Sequence, residues 1–97
     1  MIIVHDIFVC KPGNASKLAK KFKEAMQDVP ETVHIMTDMT GQYNRVVMVS
    51  KYENLTAYEQ SWEKYKADSE EMKKVNEIMT GYTDMYLTGS REIYQVW

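Results

Sequence analysis

Ninety-seven residues, 44% hydrophobic and 27% charged, leave room for one core and exclude a second domain. The formal net charge of −2 lacks the basic surplus of a general nucleic-acid binder, and no apolar run approaches the ~20 residues that span a bilayer. The lone Cys10 excludes an internal disulfide framework, and the N-terminus lacks the basic-then-apolar order of a signal peptide; both point to a soluble, cytoplasmic protein.

Ile2 to Cys10 is a β-branched run of strand length, interrupted by His5 and Asp6. A run apolar on both faces suits a central strand. Lys11-Pro12-Gly13-Asn14 stops it, and Asn14 is placed to cap the next helix. That helix is predicted over Ala15 to Asp28, with Leu18, Phe22, Met26 and Val29 on one stripe and Lys17, Lys20, Lys21 and Lys23 mostly off it. Pro30 closes it. Thr32–Thr40 and Asn44–Tyr52 read as two strands joined by a short connection in which Gly41 supplies a turn conformation.

A second helix begins near Asn54 or Thr56, either of which is a plausible cap. Leu55, Tyr58, Trp62 and Tyr65 share one face, and Met72, Val75 and Met79 resume an apolar face after Ala67-Asp68-Ser69. Asp68 with Glu71 has capping-box spacing, so a kink or restart is expected there. Gly81 falls just past the helix end. Tyr82–Thr88 is the expected fourth strand, with Gly89-Ser90 as a bulge or bend before a strand-like tail over Arg91–Trp97.

These elements make a ferredoxin-like βαββαβ domain of α+β class, residues 1–97, with an antiparallel sheet of order 4-1-3-2 and the first and third strands inside. Two helices cover one face of such a sheet, yet the inner strands are apolar on both sides. Covering the second face with an identical sheet would yield a dimeric α/β barrel. Burial contributes on the order of 25 kcal/mol per 1,000 Å² of apolar surface before the costs of association. A homodimer is therefore expected, with the Arg91–Trp97 tail crossing to the partner and Trp97 as its anchor.

The opening Met1-Ile2-Ile3-Val4-His5-Asp6-Ile7-Phe8-Val9-Cys10-Lys11-Pro12-Gly13 resembles the start of NIPSNAP-type domains, a short strand leading into a Lys-Pro-Gly turn and a helix. Tyr52-Glu53-Asn54-Leu55 and Lys66-Ala67-Asp68 resemble the surroundings of that family's second helix. The resemblance implies membership of the dimeric α/β-barrel superfamily, which also holds cofactor-free antibiotic-biosynthesis monooxygenases and haem-degrading enzymes. It implies fold and dimerisation and leaves the reaction open.

Among residues able to carry chemistry, His5 interrupts a strand expected to be buried. Facing a cleft between the sheet and helix 2, it would serve as a general base or ligand donor; the duller reading is a core or interface histidine satisfied by a neighbour. Asp6 must point to the opposite face. Tyr58, Trp62 and Tyr65 would wall a pocket for a flat ligand, or simply pack in the core. Arg45 and Tyr52 are candidates for an anionic or phenolic group near the ends of the third strand. With His5 and His34 the only histidines, no metal site is expected; helix 2 also lacks the axial histidine that the resemblance to haem-degrading relatives would imply, so no cofactor is expected either. Three functions follow: a homodimer binding a small apolar or aromatic ligand, a cofactor-independent monooxygenase using His5 and the aromatic cleft, or a non-catalytic interaction or scaffold protein. None involves nucleic acid or membrane.

Overall fold

The β-branched run at the start of the chain takes the inner place its composition requires. In the computed structural model, which describes residues 1–97, it forms β1 (Ile2–Cys10), hydrogen-bonded on both edges. The remaining strands are β2 (Thr32–Thr37), β3 (Arg45–Tyr52) and β4 (Tyr86–Gln95), and the antiparallel sheet runs β2-β3-β1-β4. Helices α1 (Ala15–Ala25), α2 (Leu55–Lys66) and α3 (Glu70–Ile78) cover one side of it. This is the ferredoxin-like βαββαβ topology, with the second helix divided in two.

Element ends differ from the sequence pattern for local reasons. The first helix stops at Ala25 rather than Asp28, because Val29 N–H turns back to the Met26 carbonyl at 3.0 Å ahead of Pro30. Asn14 stands at its N-cap without a side-chain bond. The second strand ends at Thr37 rather than Thr40: the Asp38 carboxylate accepts the Arg45 N–H at 2.6 Å, and Asn44, at φ 63°, lies outside the third strand. At helix 2 the caps are Asn54, accepting from Ala57 N–H at 2.8 Å, and Ser69 rather than Asp68, accepting from Met72 N–H at 3.2 Å.

The fourth strand begins at Tyr86 rather than Tyr82. Lys11 N–H donates to the Met85 carbonyl at 2.9 Å, and Pro12 beyond it has no N–H, so residues before Met85 have no strand to pair with and Tyr82–Asp84 coil into a 3₁₀ turn. The strand then passes straight through Gly89-Ser90 to Gln95. Gly89 lies opposite Phe8, whose ring is 3.7 Å from where a side chain would begin, and the irregularity sits instead where the pairing slips between Val9 and Cys10. Arg91 to Gln95 pair with β1 of the same chain rather than crossing to another, and only Val96 and Trp97 extend beyond the strand.

The strand alternation sorts side chains onto two faces. Phe8 and Cys10, with Val46 and Met48, turn toward the helices, and Leu18, Phe22 and Ala25 of α1 and Met79 close over them; Val4, wholly buried, shares their phase on β1. Lys21 ties α1 to the end of α3 by donating from Nζ to the Ile78 carbonyl at 2.9 Å. The other face carries Ile3, His5, Ile7, Val9, Val47, Val49 and Met36, and no element of the chain covers it. The result is a slab of 37 × 35 × 19 Å. It exposes 6776 Å², where a compact monomer of 11.4 kDa exposes about 5,800 Å².

Leu18, fully buried at the centre of the helix-covered core, should cost about 3 kcal/mol of stability on change to Ala, whereas exposed Leu55→Ala should stay within about 0.5 kcal/mol. Urea denaturation followed by circular dichroism measures both.

Candidate functional site

The divided helix packs unequally. Helix α3 buries Met72, but α2 buries no residue completely, so its aromatic face stands off the sheet. Between them lies a cleft of about 120 Å³. Its floor is Phe8, Met48, Ser50 and Asp6; its wall is Tyr58, Trp62 and Tyr65, with Tyr52, Met26 and Thr32 closing one end and Arg91 the other. A wider groove beside it, about 860 Å³, shares Tyr52 and Ser61 but is open and lined mostly by polar residues, so the more enclosed cleft is the better candidate site for a ligand.

Asp6 sits on the cleft floor because it falls between Val4 and Phe8 in the strand alternation. Directly opposite in the β1–β4 register is Arg91, whose Nε donates to Asp6 Oδ1 at 2.5 Å. The guanidinium also lies over two aromatic faces, 5.0 Å from the Trp62 ring centre and 5.9 Å from that of Tyr58. The aromatic rings meet edge-on in series, Tyr52 to Tyr58 at 5.1 Å, Tyr58 to Trp62 at 6.1 Å and Trp62 to Tyr65 at 6.3 Å.

The polar tips of this wall are poorly served. The Tyr58 hydroxyl oxygen is shut off from solvent and has no hydrogen-bond partner; Trp62 stands edge-on to the ring without forming a bond of good geometry to it. The Tyr65 hydroxyl reaches only the Met26 sulfur, at 3.9 Å. Burial pushes the Tyr58 phenol above its ordinary value of 10, Arg91 pulling the other way. Tyr65 is likewise raised by burial, with Tyr52, Glu31 and Asp6 adding to it. Both are therefore neutral hydrogen-bond donors at neutral pH.

The structure brings together four of the sequence-derived candidates, Tyr52, Tyr58, Trp62 and Tyr65. It does not bring in His5, which projects from the uncovered sheet face, its ring edge-on to Tyr94 at 5.3 Å and its backbone opposite Val49 and Glu92. Nor does it bring in Arg45, at the far end of β3 on that same face, with its Nε enclosed and unpartnered. Arg45 and Tyr52 stand at opposite ends of the strand and on opposite faces, so they do not share one ligand. Asp6 and Arg91 are the residues the sequence reading missed. A signal existed: a carboxylate inside an apolar strand needs a cation, and Arg91 is the one cation after Lys74.

A family model described as NIPSNAP matches residues 6–85. Among solved structures, an uncharacterized NIPSNAP domain protein from Burkholderia xenovorans is similar with a TM-score of 0.79 at 12% identity, over 100% of this chain and 95% of that one. A NIPSNAP family protein of unknown function from Agrobacterium tumefaciens gives a TM-score of 0.75 at 14% identity, over 97% of this chain and 86% of that one. A candidate antibiotic biosynthesis monooxygenase from Nitrosomonas europaea gives 0.61 at 12% identity, over 99% and 98%. At these identities the likeness is one of fold. None of the curated proteins matches the sequence.

The raised phenols set an alkaline limit. A group whose pKa is higher folded than unfolded contributes stability that is fully present below the unfolded value and lost as pH rises through the folded one. Stability should therefore hold up to about pH 10 and fall above it, and Tyr58→Phe with Tyr65→Phe should flatten that fall. Denaturation midpoints across pH 8 to 12 test this; an equal loss in the double variant would remove the two phenols as its cause.

Proposed function

This chain belongs to the NIPSNAP family, and from that premise we propose that it is a small-molecule-binding homodimer, with the ligand held in the cleft under α2. The observation that carries the reading is the unpartnered Tyr58 hydroxyl inside an aromatic-walled cleft. Buried polar groups are nearly always paired, and one left free in a concave, largely apolar site is a group waiting for a ligand. A solidly packed helix–sheet layer would instead have favoured a scaffold role. A monooxygenase reaction based on His5 finds no support in the position of that side chain, which stands beside Tyr94 on the opposite sheet face from the cleft.

The dimer half of the reading rests on the uncovered sheet face. Ile3, Ile7 and Val9 alternate there with nothing of their own chain above them, and Met36 is 41% exposed beside them. The chain exposes roughly 1,000 Å² more than a compact monomer of its mass, close to the about 800 Å² each partner buries in a standard interface. A second copy of the same face is the occupant that fits, because an isologous contact is the commonest way to close an oligomer.

Light scattering on the eluting protein should return twice the 11.4 kDa of one chain at micromolar concentration. Val47→Lys, on the uncovered face opposite Ile7, should return a folded single chain. A wild-type particle of one chain mass would refute the dimer. For the cleft, Trp97 is fully exposed, so a Trp97→Phe variant leaves Trp62 as the reporter. Its emission should shift on saturation with a small aromatic such as toluene, and an unchanged spectrum would count against a ligand site under α2.

A further inference from the structure

The place for a cation in this cleft is already taken. Arg91 stands over Trp62 and Tyr58 with its Nε on Asp6, so the rings and carboxylate that would otherwise hold an ammonium group hold this guanidinium instead. What remains inside is a surplus of donors. The Tyr58 hydroxyl has no partner, Tyr65 has only a thioether, and the guanidinium of Arg91, on a half-exposed side chain at the mouth of the cleft, makes no hydrogen bond to the protein beyond the one from Nε. Asp6 is the one carboxylate lining the cleft, and it is occupied. The hydroxyls of Thr32 and Ser50 serve either as donors or as acceptors and do not alter the balance.

Size limits the ligand as sharply as charge does. The cleft measures about 120 Å³, and an apolar cavity of about 150 Å³ takes up benzene. A single six-membered ring is therefore the upper limit of what the enclosed part holds, and a fused tricyclic system exceeds it.

We propose that the cleft takes a monocyclic aromatic or similarly flat acid, its ring against Trp62 and its carboxylate receiving hydrogen bonds from the Tyr58 hydroxyl and the free edge of Arg91. The inference rests on the reading of the cleft as a small-molecule site and adds the charge and size of the ligand. A carboxylate is the acceptor that matches a guanidinium edge, and bonds to an ionised acceptor are about twice as strong as neutral ones. Asp6 then has a positioning role: by holding Nε it turns the rest of the Arg91 fork toward the ligand.

The test is a titration of the full chain at pH 7 with benzoate, toluene and benzylamine, which share a ring and differ in charge. Benzoate should bind at least tenfold more tightly than toluene, and benzylamine most weakly. Tyr58→Phe removes a hydroxyl that makes no bond within the protein, so the fold should stand; benzoate affinity should fall about tenfold while toluene is unaffected. Arg91→Gln, whose amide still reaches Asp6, should bring benzoate down to the level of toluene. Equal affinity for benzoate and toluene, tightest binding by benzylamine, or a Tyr58→Phe variant that keeps the benzoate preference would each overturn this inference and leave a ligand site under α2 standing. Failure of all three probes to bind would remove both.

Discussion

A carboxylate turned toward a helical layer loses part of its hydration unless a cation and hydrogen bonds compensate it, and the pleat of β1 leaves Asp6 no alternative. With Phe8 and Cys10 turned into the core and Val4 wholly buried in the same phase, residue 6 must turn inward with them. Arg91, directly across the β1–β4 ladder, supplies the cation. The rest of the cleft follows from that pair. The guanidinium, on a side chain 45% exposed, keeps water on its outer edge, and aromatic faces attract its flat side. The stripe opposite is accordingly Tyr58, Trp62 and Tyr65, and α2 rides above the sheet instead of sinking into it.

The break at Ala67–Ser69 is what permits the two halves of the helical layer to differ. An unbroken helix from Leu55 to Ile78 would be about 36 Å long, as long as the whole 37 Å slab. It would have to lie at one height above the sheet. Ser69 starts a new helix instead, capping the Met72 N–H. The second piece drops close enough to bury Met72 and to receive Lys21 on its last carbonyls, while the first stays raised. Stability is concentrated under α1 and α3, where Leu18 and Val46 are wholly buried, and the cleft under α2 lies in the looser half.

Strand and helix placement was legible because the periodicities were strong and the stops were chemical: Pro12, Gly41 and the Asn54 cap act where the sequence puts them, although α1 ends before Pro30 is reached. The doubly apolar character of β1 and β3 identified them as inner strands for the same reason. What that character hid was phase. With Ile3, Ile7 and Val9 as greasy as Val4, Phe8 and Cys10, nothing local decides whether His5 or Asp6 faces the helices, and the choice falls to tertiary contacts with Phe22 and Val46. Arg91 was hidden by distance: its partner lies 85 residues away, and Gly89-Ser90 looks like a break until the Phe8 ring is seen lying over the glycine. The aromatic stripe was legible as a stripe, but its service to a cleft depends on how far α2 stands from the sheet, which no spacing rule encodes.

The same alternation that separates His5 from Asp6 also ties the two proposed surfaces to one element. Neighbouring residues of β1 serve opposite faces, so a substitution such as Val47→Lys acts on the uncovered face without touching Met48 on the cleft floor. The strands themselves are shared, however. Arg91 reaches Asp6 only while β4, an edge strand exposed along nearly its whole length, keeps its register on β1. Edge strands fray first when nothing holds their outer side. A partner sheet laid across Ile3, Ile7 and Tyr94 would clamp β4 to β1 and so keep Arg91 over Trp62. The proposed dimer and the order of the cleft would on this argument be coupled, because both depend on the register of β4 on β1.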